Sequence, residues 1–342
     1  MSLLVDVQGM EVAGCGDPPA GERAPAHAAF GTCEVRLRGR YAQSECAVSV
    51  RHATFGPAHA PVVVVQGGIS AHRATCHDES GAPGWWSGIC GPDRALDTRR
   101  FRVVSIDWLC ASDVRGPAVS TDDQADAIAA VLDALGVARA HAFAGSSYGA
   151  MVGLAFASRH ADRVGHVLAI SGAHRPHPLS TALRNIQREV VRLARRQGDV
   201  AAGLDLARRI AMTTYRSERE FAERCAAEPV FDGTRFRFAE EGWLGAAGER
   251  FARTFDADRF LSLSESIDLH AVAPRDIRVP LTLIGVASDR VVPLSDLCRL
   301  QQESAAAATL HVLDSLYGHD AFLKEPERIG ALVHETLCTR AG

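Results

Sequence analysis

Six short apolar runs, at residues 62–65, 101–107, 141–145, 167–171, 281–286 and 310–313, constrain the fold of this chain more than any other feature. The first, Val62-Val63-Val64-Val65, is β-branched throughout and stops at Gly67-Gly68. A strand that is apolar at every position, rather than at alternate ones, must be covered on both faces. Between the second and third runs, residues 121–136 carry apolar side chains at helical spacing, with Thr121 as a candidate cap and Asp122 and Asp123 in the first turn. A further helix is expected from Met151 to Arg159, soon after the third run. Strand and helix alternating in this way predict an α/β chain whose mostly parallel central sheet has helices on both faces.

The rhythm breaks at residues 176–274, which are amphipathic and charged, notably at 184–196 and 204–214. This predicts a core built from residues 1–175 and 275–342, with residues 176–274 inserted as a helical cap or lid. Residues 1–40, rich in Gly, Pro and Ala, read as an irregular arm leading into early strands and carry no evident chemistry.

A length of 342 residues suits one large core. The balance of 37 Lys and Arg against 41 Asp and Glu, a net charge of -4, lacks the basic excess that a phosphate backbone requires, so nucleic acid is excluded as a partner. No apolar stretch approaches the roughly 18 residues needed to cross a bilayer. The first residues lack a basic region followed by a long apolar run, so no secretory signal is read there. Nine cysteines without even spacing fit a reducing compartment, and a cytoplasmic location is expected.

The chemistry centres on Gly145-Ser146-Ser147-Tyr148-Gly149, a Gly-x-Ser-x-Gly sequence between a strand and a helix. A sharp turn there exposes the Ser147 hydroxyl, and the following helix presents free N–H groups to a developing oxyanion. A serine hydroxyl needs a base, held in turn by a carboxylate, in the chain order Ser, acid, His. Asp289 follows the fifth apolar run and His319 the sixth, which gives them these roles; Asp314 and Asp268 are weaker candidates for the acid. The backbone N–H groups of Gly68 and Tyr148 are the expected oxyanion donors.

His72, Cys76, His77, Asp78 and Glu79 are metal-ligand types without metal-ligand spacing, and read as a polar loop. Gly14-Cys15-Gly16 lacks the strand and third glycine of a dinucleotide fingerprint. No bound cofactor or metal is expected. Trp85-Trp86 could stack on a substrate or pack in the core.

Several of these segments, taken together, are familiar. Gly84-Trp85-Trp86, the Ser147 pentapeptide, Leu206-Ala207-Arg208-Arg209 with Thr214-Tyr215-Arg216, residues 262–268 and Gly318-His319-Asp320-Ala321-Phe322-Leu323 resemble the homoserine O-acyltransferase family. The resemblance runs from about Ala60 to about Glu325, and residues 66–73 are most similar to the succinyl-transferring branch. It implies an α/β-hydrolase fold and a role in methionine biosynthesis. By the same resemblance, Ser147 takes an acyl group from an acyl-CoA and passes it to the hydroxyl of L-homoserine in a ping-pong cycle. Arg208 holds the amino-acid carboxylate, Tyr215 supplies a neighbouring hydrogen bond, Asp320 receives the ammonium, and the enzyme is a homodimer built through its cap. A zwitterionic acceptor independently requires one fixed cation and one fixed anion beside the nucleophile.

Succinyl-CoA carries a terminal carboxylate that acetyl-CoA lacks, so its use calls for an additional cation at the acyl pocket. Arg184 is the candidate, with Arg175 and Arg188 as alternatives. Acetyl-CoA as donor, L-serine as acceptor, plain hydrolysis and an inactive binding module are the competing readings. The loop after Asp107 has Arg115-Gly116-Pro117 where the family has Gly-Ser-Thr-Gly-Pro.

Overall fold

The computed structural model describes residues 28–338 and the backbone strand Val5–Asp6. In chain order the strands are β1 (Val5–Asp6), β2 (Ala28–Leu37), β3 (Cys46–Phe55), β4 (Val62–Gln66), β5 (Cys90–Gly91), β6 (Leu96–Asp97), β7 (Arg102–Ile106), β8 (Ala142–Ser146), β9 (Val167–Ile170), β10 (Val230–Phe231), β11 (Phe236–Arg237), β12 (Leu281–Val286) and β13 (Ala308–Leu313). The α-helices are α1 (Thr121–Ala134), α2 (Tyr148–Arg159), α3 (Pro178–Arg196), α4 (Val200–Tyr215), α5 (Glu218–Arg224), α6 (Ala239–Thr254), α7 (Ala257–Asp268), α8 (Leu294–Glu303), α9 (Ala321–Lys324) and α10 (Pro326–Cys338).

Nine strands form one sheet in the order β1-β13-β12-β9-β8-β4-β7-β3-β2. Pairing is parallel from β1 across to β7, and β3 is antiparallel to both β7 and β2. The apolar runs explain why. Val62 and Val64 of β4 join a core cluster with Ile128 of α1, Leu154 of α2 and Leu297 of α8, whereas Val63 and Val65 face an opposite cluster with Leu332 and Val333 of α10. Both faces of the sheet are therefore dry, and a continuous β-branched run is the composition such a strand needs.

Strand β4 pairs with β7 on one side and β8 on the other, both parallel, so the chain's winding reverses there. A reversal of this kind opens a crevice beyond the carboxyl ends of the strands. Gln66 at the end of β4 lies opposite Gly145 of β8, which brings the Gly67-Gly68 loop beside Ser147. Between β9 and β12 the chain forms α3 to α7 and the β10–β11 hairpin. Val191, Leu204, Ala207, Ala257 and Phe260 make a separate apolar cluster among these helices.

The structure alters the sequence reading at several element ends. Ser120, not Thr121, caps α1: its Oγ accepts from the Asp123 N–H at 3.2 Å while the Asp123 carboxylate accepts the Ser120 N–H at 2.7 Å. Helix α2 starts at Tyr148 rather than near Met151, because the turn at Ser147 leads straight into helix. The irregular arm read over residues 1–40 is a ten-residue strand, β2, from Ala28 onward; residues 7–27 lie outside the described part. Strand β3 lies where the arm was expected to lead into early strands, and its buried Cys46, Val48 and Val50 alternate with exposed Ala47, Ser49 and Arg51, the half-buried pattern.

Phe143 of β8 is fully buried under α2, its ring centroid 5.7 Å from that of Phe156. Phe143→Ala is expected to cost about 3–5 kcal/mol of unfolding free energy, seen as a lowered urea midpoint at unchanged slope. A cost below about 1 kcal/mol would show that the sheet–helix layer is not the stabilising core.

Candidate active site

Strand β8 ends at Ser146, α2 begins at Tyr148, and Ser147 between them has φ 54° and ψ -117°. That conformation is rarely adopted by a residue with a side chain and costs of order 1–3 kcal/mol. The neighbouring glycines are required by close approach. A methyl group on Gly145 would stand 2.3 Å from the Gly149 carbonyl oxygen, and one on Gly149 would stand 2.2 Å from the Gln66 carbonyl oxygen. The Ser147 N–H donates to the Ile170 carbonyl at 2.8 Å and the Gly149 N–H to the Gly67 carbonyl at 2.9 Å, so the turn is anchored to β9 and to the loop after β4.

The Ser147 hydroxyl lies 2.8 Å from His319 Nε2. On the other edge of the ring, His319 Nδ1 is 2.8 Å from Asp289 Oδ2. Asp289 Oδ1 accepts the N–H groups of Val291 at 2.8 Å and Val292 at 3.0 Å, which fixes the carboxylate's orientation. Burial pulls the His319 pKa down, but the charge and hydrogen bond of Asp289 outweigh it, and the imidazole is held above its ordinary value of 6.5. Asp289 sits just past β12 and His319 just past β13, so three distant segments meet at the carboxyl edge of one sheet.

A methyl group on Gly68 would lie 3.9 Å from Ser147 Cβ, so this loop borders the nucleophile directly. The Gly68 carbonyl is held by the Trp108 indole N–H at 3.0 Å and the Ala71 N–H at 2.9 Å, which anchors the loop beside the serine. Among the described residues no protein group accepts the N–H of Gly68 or of Tyr148. Both donors are free beside Ser147, as an oxyanion site needs.

A cavity of about 170 Å³ opens over Ser147 and His319, roofed by α3, α4, α6 and α7. Arg208, Asp320 and Arg184 all line it, and the half-buried Tyr215 ring lies 5.5 Å from that of His319. The Arg208 guanidinium packs 5.4 Å from the rings of both Tyr215 and Phe251 and has no carboxylate partner among the described residues. Asp320 Oδ2 meets Arg216 Nη2 at 3.1 Å, and Arg216 also contacts the buried Glu220. Burial pushes the Tyr215 phenol pKa up, so it stays a neutral hydrogen-bonding group.

Arg184 differs from its expected setting. Its guanidinium is not free but held by Asp268 Oδ1, with contacts of 2.8 and 2.6 Å, while Arg188 binds Asp268 Oδ2 at 2.6 Å. Two buried arginines thus share one carboxylate, which leaves one positive charge in excess at this wall. Arg175 lines a small recess on the other side of Ser147, together with Arg184 and Ser171. Asp268 is thereby taken up by arginines, and Asp314 offers its carbonyl to Arg328; neither touches His319.

The family model of the alpha/beta hydrolase fold matches residues 60–326. The chain is 44% identical to the homoserine O-succinyltransferase of Xanthomonas campestris pv. campestris, over 99% of this chain and 92% of that protein. The chain belongs to the homoserine O-acyltransferase family. It is also 33% identical to the homoserine O-acetyltransferase of Mycobacterium marinum, over 85% of this chain and 83% of that one. Among solved structures, a homoserine O-acetyltransferase from Bacillus anthracis superposes with a TM-score of 0.81 over 92% of this chain and 98% of its own, at 18% identity. Esterase E22 superposes equally well, at 0.81 over 91% of this chain and 100% of its own, also at 18% identity, so that likeness is one of fold.

Within this homoserine O-acyltransferase family member the sequence reading missed three contributors. Trp108 anchors the Gly68 peptide, and its position just beyond a strand end was the available signal. Ser171, also just past a strand, has φ 49° and a buried hydroxyl with no partner among the described residues, at the wall of the Ser147 recess. Arg216 was read only as part of a resemblance, and its tie to Asp320 depends on α4 ending beside the turn that carries His319. The expected polar loop holds: Glu79 pairs with Arg73, and His72 accepts the Ala74 N–H. Of the tryptophans, Trp86 is buried and donates to the Phe322 carbonyl at 3.0 Å, whereas Trp85 borders the cavity. Gly14-Cys15-Gly16 lies outside the described residues.

Only a neutral imidazole accepts the serine proton, so the raised His319 pKa sets where the hydroxyl becomes reactive. The rate of Ser147 labelling by a fluorophosphonate should fall about tenfold per pH unit on the acid side, with a midpoint above 6.5. Asp289→Asn should move that midpoint down. A labelling rate flat from pH 5 to 9, or a midpoint unmoved by Asp289→Asn, would separate His319 from the serine's reactivity.

Proposed function

We propose that this chain transfers succinyl from succinyl-CoA to the hydroxyl of L-homoserine, through an acyl-enzyme on Ser147. One observation supports this most: Ser147 and His319, joined at 2.8 Å with Asp289 2.8 Å behind the imidazole, line a cavity shared with an arginine, Arg208, and a carboxylate, Asp320. That pairing suits a zwitterionic amino acid held beside a nucleophile. The similarity to enzymes named homoserine O-succinyltransferase and homoserine O-acetyltransferase supports the same acceptor.

His319 takes the Ser147 proton as Oγ attacks the thioester carbonyl. The N–H groups of Gly68 and Tyr148 hold the tetrahedral oxyanion, and CoA leaves as its thiol with the proton from His319. Homoserine then enters with its carboxylate on Arg208 and its ammonium on Asp320. Its hydroxyl gives a proton to His319 as its oxygen attacks the acyl carbon, the bond from that carbon to Ser147 Oγ breaks, and His319 returns the proton to Oγ as the ester departs. The roof of α3 to α7, residues 176–274, acts as a cap that keeps water from competing for the acyl group. Asp289 holds the His319 tautomer and stabilises the imidazolium in both halves.

The excess cation of the Arg184–Asp268–Arg188 cluster supports succinyl over acetyl, because a terminal carboxylate reaching that wall meets a charge-assisted donor. The higher identity to the succinyltransferase, 44% against 33%, points the same way. The reading also carries a homodimer built through the cap, where Val230, Phe231 and Phe236 stand exposed, and a cytoplasmic location, in keeping with the free thiols of every described cysteine.

Each acyl-CoA should be assayed for thiol release with and without homoserine. Succinyl-CoA is expected to be preferred and release to depend on homoserine; homoserine-independent turnover would make this a hydrolase. Ser147→Ala should lose both turnover and the acyl mass increment on its peptide, and retained turnover would remove the mechanism. Arg184→Ala should lower kcat/KM for succinyl-CoA by about 10- to 100-fold while changing acetyl-CoA use far less. Equal losses would reject Arg184 as the carboxylate reader. Light scattering should give twice the chain mass, falling to one with Phe231→Asp and Phe236→Asp together; a monomer before substitution removes the dimer.

A further inference from the structure

A second cavity, of about 480 Å³, lies next to the first and shares Ser70, Arg208 and Phe251 with it. Its charged lining is lopsided: Arg208, Arg216, Arg224, Arg250 and Lys324 against Glu220 alone. Glu220 is 1% exposed and already engaged, by Arg224 at 2.7 Å and Arg216 at 3.3 Å. Arg250 and Lys324 are exposed and have no ion-pair partner among the described residues. In a chain whose net charge is -4, this concentration of like charge is local, and like charges around one opening repel unless an anion fills it. Trp243 stands in the same wall, its ring 5.3 Å from the Arg224 guanidinium. An indole in a wall rich in cations fits a nucleotide, the base on the indole and the phosphates on guanidinium and ammonium groups.

We propose that this cavity receives the phosphorylated nucleotide end of the CoA thioester, with Arg250 and Lys324 meeting its phosphates and Trp243 its adenine. The pantetheine arm then runs past Ser70 and Phe251 toward Ser147. The proposal rests on the acyl-CoA reading above and adds the residues that would select CoA over a smaller thioester.

Two donors separate the nucleotide from the reacting end: succinyl-CoA, and the succinyl thioester of N-acetylcysteamine, which has no nucleotide. The variant R250E/K324E should raise KM for succinyl-CoA about tenfold or more, and should leave turnover of the short thioester within about twofold of the unsubstituted protein. Unchanged short-thioester turnover also reports a folded site. No change with succinyl-CoA, or equal losses with both donors, overturns the proposal.

A second measurement does not need turnover. Lys324 is the only lysine in the sequence, so its acetylation by an N-hydroxysuccinimide ester can be followed on a single peptide. CoA should protect it, and pantetheine should not. Absence of protection by CoA, or equal protection by inorganic pyrophosphate, removes the nucleotide site. Protection by CoA in a protein that transfers no acyl group would instead remove the transferase reading and leave the site standing.

Discussion

The strained turn at Ser147 is the constraint from which the rest of the site follows. A positive φ on a residue with a side chain is tolerated only where the surroundings over-determine it. Here they do: Gly145 and Gly149 admit no added atom, the Ser147 N–H is tied to β9, and the Gly149 N–H is tied to the loop after β4. The turn therefore joins three neighbouring segments, and moving any one of them would displace the hydroxyl from His319. The same geometry starts α2 at once, which leaves the Tyr148 N–H without an acceptor among the described residues and directs the positive end of the helix toward the serine.

Charge is distributed around this turn according to how well it can be paired. Asp289 is buried, but two backbone N–H groups and the imidazole leave neither carboxylate oxygen without a hydrogen-bond partner. Asp268 answers two arginines and Asp320 shares Arg216 with Glu220, so the cavity walls carry ion networks rather than isolated charges. Removing one partner from such a network leaves a buried charge uncompensated, typically at about 3–5 kcal/mol. Arg208 is the exception, since aromatic faces rather than a carboxylate hold it, and its N–H groups stay available to a ligand. The wider opening beyond it carries Arg250 and Lys324, which have no ion-pair partner among the described residues.

Much of this was legible along the chain because the signals are local. A strand buried on both faces must be apolar at every position, so β4, β7, β8, β9 and β12 announce themselves, and the Gly-x-Ser-x-Gly turn between β8 and α2 is defined by its own five residues. Strands β2 and β3 were harder, since an edge of the sheet has one wet face and its alternating pattern blends with polar loops. The state of Arg184 was out of reach for a different reason. Its partner, Asp268, is 84 residues away, and only the packing of α3 against α7 brings them together.

What the sequence determined by itself was the kind of layered sheet, the turn that exposes a serine, and the residue types able to activate it, because each depends on spacing within one element. Tertiary structure alone decided which arginines are already neutralised and which cations are left facing an open cavity. Those outcomes depend on distances between segments far apart in the chain, and electrostatic pairing is set by distance and burial, not by order along the backbone.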